Sequence, residues 1–97
     1  MRYVRTSTNH RIKVTPHGRG YRMTMDDGTF GQIRHEGSTW AAEVRYAETG
    51  VCFRYAGIWK TLREAVDELF SLTAEGRAAY QAHILQVRRE LGLTEGE

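Results

Sequence analysis

Near residue 60 the spacing of apolar residues changes from two to about 3.6, and this change constrains the fold more than any other feature of the chain. Before it, Trp40, Ala42, Val44 and Tyr46 alternate with Ala41, Glu43, Arg45 and Ala47. After Glu48-Thr49-Gly50 the alternation resumes, with Val51, Phe53 and Tyr55 against Cys52, Arg54 and Ala56. Beyond residue 60, Leu62, Ala65, Val66, Leu69 and Phe70 fall on one stripe of a helix. Strands therefore come first and helices last. A chain of 97 residues has room for one domain, 1–97, with one modest core. These features predict an α+β fold, an antiparallel sheet of three to five strands covered on one face by a short helix, 61–72, with a long C-terminal helix, 74–91, beside it.

The first sixty residues divide at turn signals. Residues 1–9 are polar and can fray, although Tyr3 and Val4 are suited to an edge strand. Residues 11–15 form a short strand with Ile12 and Val14 on one side, and Pro16-His17-Gly18-Arg19-Gly20 reads as a turn. Residues 21–25 alternate again and Asp26-Asp27-Gly28 is a hairpin signal. In the return strand, 30–35, Phe30 and Ile33 have opposite parity, which predicts a bulge near Gly31. For the hairpin that follows, the alternation pairs Tyr46 with Val51, Val44 with Phe53 and Ala42 with Tyr55 on the helix side. Glu43 then meets Arg54, and Arg45 meets Cys52, on the other side. Aromatic residues would lie beneath helix 61–72 and arginines on the opposite surface.

Thr61-Leu62-Arg63-Glu64 has capping-box spacing, and Ile58 or Trp59 can pack back onto the first helical turn. Ser71-Leu72-Thr73 breaks the helix and Thr73 caps the next one, whose first turn Gly76 weakens. Tyr80, Ile84, Val87 and Leu91 then repeat at helical spacing, with Leu85 widening the stripe. Gly92 suits the position after the helix, behind Arg88 and Arg89, and residues 93–97 read as a tail. A helix this long either folds back as a second layer or offers Tyr80, Ile84, Val87 and Leu91 to another chain. The latter would be a homodimer or a partner protein.

No stretch approaches 18 apolar residues and the N-terminus lacks an apolar signal core, so neither a membrane span nor export is expected. Cys52 is the sole cysteine and can form no internal disulfide, which points to the reducing cytoplasm. His10, His17, His35 and His83 show no metal-ligand spacing, and Cys52 has no histidine partner in sequence. Asp26 and Asp27 are explained by their turn. His17-Gly18-Arg19-Gly20 lacks the lysine of a phosphate-binding loop. No enzyme, metal or cofactor is expected.

The charges are unevenly distributed. Fourteen Lys/Arg against twelve Asp/Glu give +2 overall, but residues 1–60 carry +5 and residues 61–97 carry -3. Arginine outnumbers lysine twelve to two, a bias that suits phosphate and base-edge contacts and that GC-rich coding also produces. Strand parity places Arg22, Thr24, Arg45 and Arg54 on the outer sheet face, joined by Arg34 if the bulge has the right phase. Lys13 and Arg19 would supply backbone contacts. Glu43 lies inside this patch and counts against it. Because the strand aromatics point inward, duplex DNA is favoured over single-stranded RNA among nucleic acids.

The segment WAAEVRYAETGVCFRYAGIWKTLREAVDELF resembles AP2-like and integrase arm-type DNA-binding domains. The resemblance covers residues 21–70 and rests on a Trp-bearing strand (Trp40), a return strand (51–56) and the helix start Thr61-Leu62-Arg63-Glu64-Ala65. It implies Arg22, Arg45 and Arg54 on a DNA-facing sheet with the helix behind. The extra N-terminal strand and long last helix depart from that pattern, and no recombinase catalytic domain accompanies it. The implied role is a stand-alone, non-enzymatic accessory factor of a phage or mobile element.

Overall fold

Six strands and two helices are formed in a computed structural model that describes residues 2–92. The strands are β1 (Arg2–Arg5), β2 (Arg11–His17), β3 (Gly20–Thr24), β4 (Thr29–Glu36), β5 (Thr39–Tyr46) and β6 (Cys52–Trp59). The helices are α1 (Leu62–Ser71) and α2 (Ala74–Glu90). The strands make one antiparallel meander in chain order, so β1 and β6 are its edges. The class is α+β as expected, with six strands rather than three to five. Residues 2–5 are paired with β2, and the tail 93–97 lies outside the described residues.

Pro16 lies within β2 rather than in the turn. β1 pairs only with residues 11–14 of β2, so at Pro16 no β1 strand is present to require an amide hydrogen. The β3–β4 turn forms at Asp26-Asp27-Gly28, with Gly28 at φ 81° and the Thr29 amide donating to the Asp26 carbonyl at 3.0 Å.

No bulge occurs at Gly31; the β3–β4 and β4–β5 registers run through it unbroken. Phe30 turns to the outer face instead, and Gly31 lies under α1, where an added Cβ would stand 2.9 Å from Leu69 Cδ1. The absence of a side chain lets the helix approach the sheet. The irregularities fall between β5 and β6, where the register shifts between Ala42 and Glu43 and again between Val44 and Arg45.

α1 buries the stripe expected of it: Leu62, Ala65, Val66, Leu69 and Phe70. They cover Val4, Val14, Met23, Ile33, Ala42 and Val44 of the sheet. Thr61 accepts the Glu64 amide at 3.2 Å, while its hydroxyl donates to the Glu64 carboxylate at 3.1 Å in place of the reciprocal backbone bond. Thr73 caps α2 by accepting the Gly76 amide at 2.9 Å. A Cβ on Gly76 would fall 1.7 Å from the Phe70 carbonyl oxygen, so this glycine permits the tight turn between the helices.

Two polar ties position the rest. Asp67 accepts from the Ser7 amide and hydroxyl at 3.1 and 3.0 Å and ties the β1–β2 turn to the helix. Asp26 accepts from the Ala74 amide at 3.3 Å. α2 has Gly76 as its one buried residue, and Ala79 also packs on the core. The remainder reaches outward, consistent with extents of 50 × 29 × 22 Å. No helix among the described residues is long and apolar enough to cross a membrane.

Candidate nucleic-acid interface

Directly paired residues of an antiparallel sheet share a face, so the registers assign every outward side chain. Opposite α1 stand Tyr3 and Arg5 of β1, Arg11, Lys13 and Thr15 of β2, and Arg22 and Thr24 of β3. The same surface continues through Phe30, Gln32 and Arg34 of β4, Glu43 and Arg45 of β5, and Cys52, Tyr55 and Ile58 of β6. Lys13, Arg22, Thr24, Arg34 and Arg45 are therefore brought together as expected. Arg19 sits in the β2–β3 turn at the end of this face.

Arg54 is the exception. It pairs with Val44 on the α1 side and lines a 310 Å³ cavity with Met25, Phe53, Leu72 and Arg77. One extra residue in β6, Phe53, separates the Arg45–Cys52 and Val44–Arg54 pairs and reverses the parity beyond it. Of the anticipated hairpin pairs, Arg45–Cys52 forms and the Tyr46 amide donates to the Val51 carbonyl at 2.9 Å, while the other three are displaced.

The aromatic expectation also fails. Phe53 and Tyr55 are exposed rather than covered by α1, and Tyr3, Phe30 and Tyr55 occupy the outer face, so inward aromatics no longer argue against single strands. At the β1–β3 end, however, Tyr3 and Phe30 are covered by Arg11 and Arg22 rather than open to stack a base. Cys52 is exposed on that face, opposite Arg45 and away from Arg54.

The outer face is electrically divided. At its β4–β6 end the Glu43 carboxylate receives Arg45 Nε at 3.1 Å and Nη2 at 2.8 Å, with Arg34 Nη2 at 3.8 Å. Arg45 Nη1 also donates to the Gly50 carbonyl at 2.6 Å, and Arg34 pairs with Glu36 at 3.5 Å. Burial of Glu43 raises its pKa. Hydrogen bonds from Arg45 and Cys52 and the charges of Arg45 and Arg34 more than offset that, and hold the carboxyl below its ordinary value. Arg34 and Arg45 are thus tethered and largely neutralised.

At the β1–β3 end, Arg5, Arg11, Lys13 and Arg22 have no carboxylate partner among the described residues. Arg11 stacks 4.1 Å above the Tyr3 ring and Arg22 4.2 Å above the Phe30 ring. Arg22 Nη2 also lies 3.3 Å from His17 Nε2, and Arg5 Nη1 donates to Asn9 Oδ1 at 2.8 Å. A guanidinium held over a ring face makes no hydrogen bond to it and keeps N–H donors for an anion beside it. Arg5 and Arg11 were missed by sequence reasoning. Their signal was the alternation of Tyr3, Arg5, Arg11 and Lys13 on a β1–β2 hairpin.

The stripe of α2 is not folded back on the sheet: Tyr80, Val87 and Leu91 are exposed, and Ile84 is partly covered. No group of three metal-binding side chains occurs among the described residues. No protein-family model, curated protein or solved structure matches the chain.

Proposed function

We propose that the protein is a non-enzymatic module that binds duplex DNA through the β1–β3 end of its outer sheet face. The observation that supports this reading is the set of four cations, Arg5, Arg11, Lys13 and Arg22, on three adjacent strands with no carboxylate partner among the described residues. Three strands span about 10 Å between outer axes, close to the roughly 12 Å width of the major groove. A face of this breadth can follow one groove with its basic end while β4–β6 stay outside it. Lys13 and Arg5 act as phosphate contacts. Arg11 and Arg22, oriented by their rings, present planar forks to phosphate or to a guanine edge. Thr24 and Arg19 extend the contact at the β3 margin. This role agrees with the stand-alone accessory factor implied by the integrase-arm resemblance, with the footprint moved toward the N-terminus.

Fluorescence anisotropy on a generic labelled duplex tests the proposal. Four phosphate contacts give a slope of log K against log salt of about -3.6. Lys13→Ala and Arg22→Ala should each weaken binding and reduce the slope by about 1, whereas Arg54→Ala should leave both unchanged. Absence of binding at low salt overturns the reading.

A further inference from the structure

We infer that β6 is the interface through which two copies of this chain pair, edge to edge and antiparallel, into one continuous sheet. A sheet edge leaves alternate backbone N–H and C=O groups without strand partners and can template another strand. The two edges of this sheet differ sharply. β1 is four residues long and carries Arg2 and Arg5, so it is short and charged. β6 is eight residues long and carries one charge, Arg54. Shortness, charge and bulges are the usual guards against edge pairing; β1 has the first two, whereas β6 has only the two register shifts of its pairing with β5.

The side chains flanking β6 are also those a partner strand would cover. Val51 is 58% exposed, Phe53 55%, Tyr55 59% and Ile58 58%, all large apolar residues beside an edge. Tyr55 and Ile58 lie on the outer face, while Phe53 sits against Tyr46 on the other, with ring centroids 5.1 Å apart. Exposure on both faces of one strand is what an absent neighbouring strand leaves behind. These residues with Tyr46 offer roughly 100 Å² each, about 500 Å² per copy and about 1,000 Å² in a pair, the lower bound for a specific interface.

Two further considerations select a second copy as the occupant. Antiparallel β6–β6 pairing is two-fold symmetric and closes after two chains, whereas β6 against the charged β1 of another copy would propagate without closure. The single charge Arg54 is the third of the strand's eight residues, so an antiparallel pair of β6 strands keeps the two copies of it apart.

Sedimentation equilibrium of the full chain over a concentration series tests this inference without reference to DNA. The expected result is a monomer–dimer equilibrium, with Tyr55→Lys/Ile58→Lys weakening association at least tenfold and Val87→Glu leaving it unchanged. Both altered residues in the first variant are surface positions, and its far-ultraviolet dichroism should match the parent. A spin label on the sole cysteine, Cys52, adds a direct readout. Antiparallel pairing places the two labels on the order of 20–30 Å apart, because Cys52 begins the strand. A strict monomer at hundreds of micromolar overturns the inference. So does a dimer that survives the β6 variant and is lost on Val87→Glu, which would assign the interface to α2.

Discussion

Arg45 and Glu43 stand two residues apart on β5, and the guanidinium Nη2 meets the carboxylate Oε1 at 2.8 Å on the outer face of the sheet. This pair, with Arg34 at 3.8 Å, draws three charges of that face into one local network. Replacing the carboxylate by its amide should leave Arg45 without a carboxylate partner, while Arg34 keeps its pairing with Glu36 at 3.5 Å. Because β4–β6 stay outside the groove, Glu43→Gln is expected to tighten duplex binding only about two- to threefold at low salt, through the added net positive charge, with the salt slope little changed. Anisotropy titrations of the parent and the variant at matched salt measure the change.

The same carboxylate gives stability a dependence on pH. The folded-state pKa of Glu43 is depressed, so its contribution is fully present above the ordinary glutamate value, about 4.3, and is lost as pH falls through the lower folded value. Urea unfolding should show Glu43→Gln less stable than the parent by about 1–2 kcal/mol at pH 7. That difference should shrink progressively below about pH 4.

Gly76 offers a case in which two effects oppose each other. Intrinsic propensity favours Ala in a helix by about 1 kcal/mol. The Phe70 carbonyl oxygen, 1.7 Å from where the new Cβ would sit, is backbone and cannot swing aside. The steric term dominates, and Gly76→Ala should destabilise by about 1–3 kcal/mol in denaturant titrations.

Within α1 the core contributes more than the cap. Leu69 is fully buried over Gly31, and Leu69→Ala should cost about 2–5 kcal/mol. Thr61→Ala removes one exposed capping bond and should cost about 1 kcal/mol. Parallel unfolding curves for the two variants give the comparison.

The helices were legible because their signals are local: every member of the α1 stripe is buried, and both threonine caps accept the expected amides. Much of the outer face was legible for a similar reason, since parity in β2, β3 and β5 follows from simple alternation; in β4 the outward Phe30 mimicked a bulge that does not occur. β6 was not. Its alternation of Val51, Phe53 and Tyr55 reads as a regular inward set, yet two register shifts in the β5–β6 pairing displace it, and Arg54 reaches the α1 side. Nothing in those residue types records how many of them face one residue of β5. The aromatic side chains misled for a second reason: an edge strand has a neighbour on one flank alone, so large residues there remain exposed whatever their parity. Small residues of central strands, Ala42 and Val44 among them, line the floor beneath α1.

The most direct test of DNA recognition is a residue-resolved titration, following ¹⁵N–¹H amide and arginine Nε–H resonances of the full chain as a short duplex is added at low salt. Perturbations are expected to concentrate at Arg5, Arg11, Lys13 and Arg22 on β1–β3, with β6 and α2 little changed. An unperturbed β1–β3 surface, or shifts centred on Arg54 or on Tyr80–Leu91, would contradict the proposal.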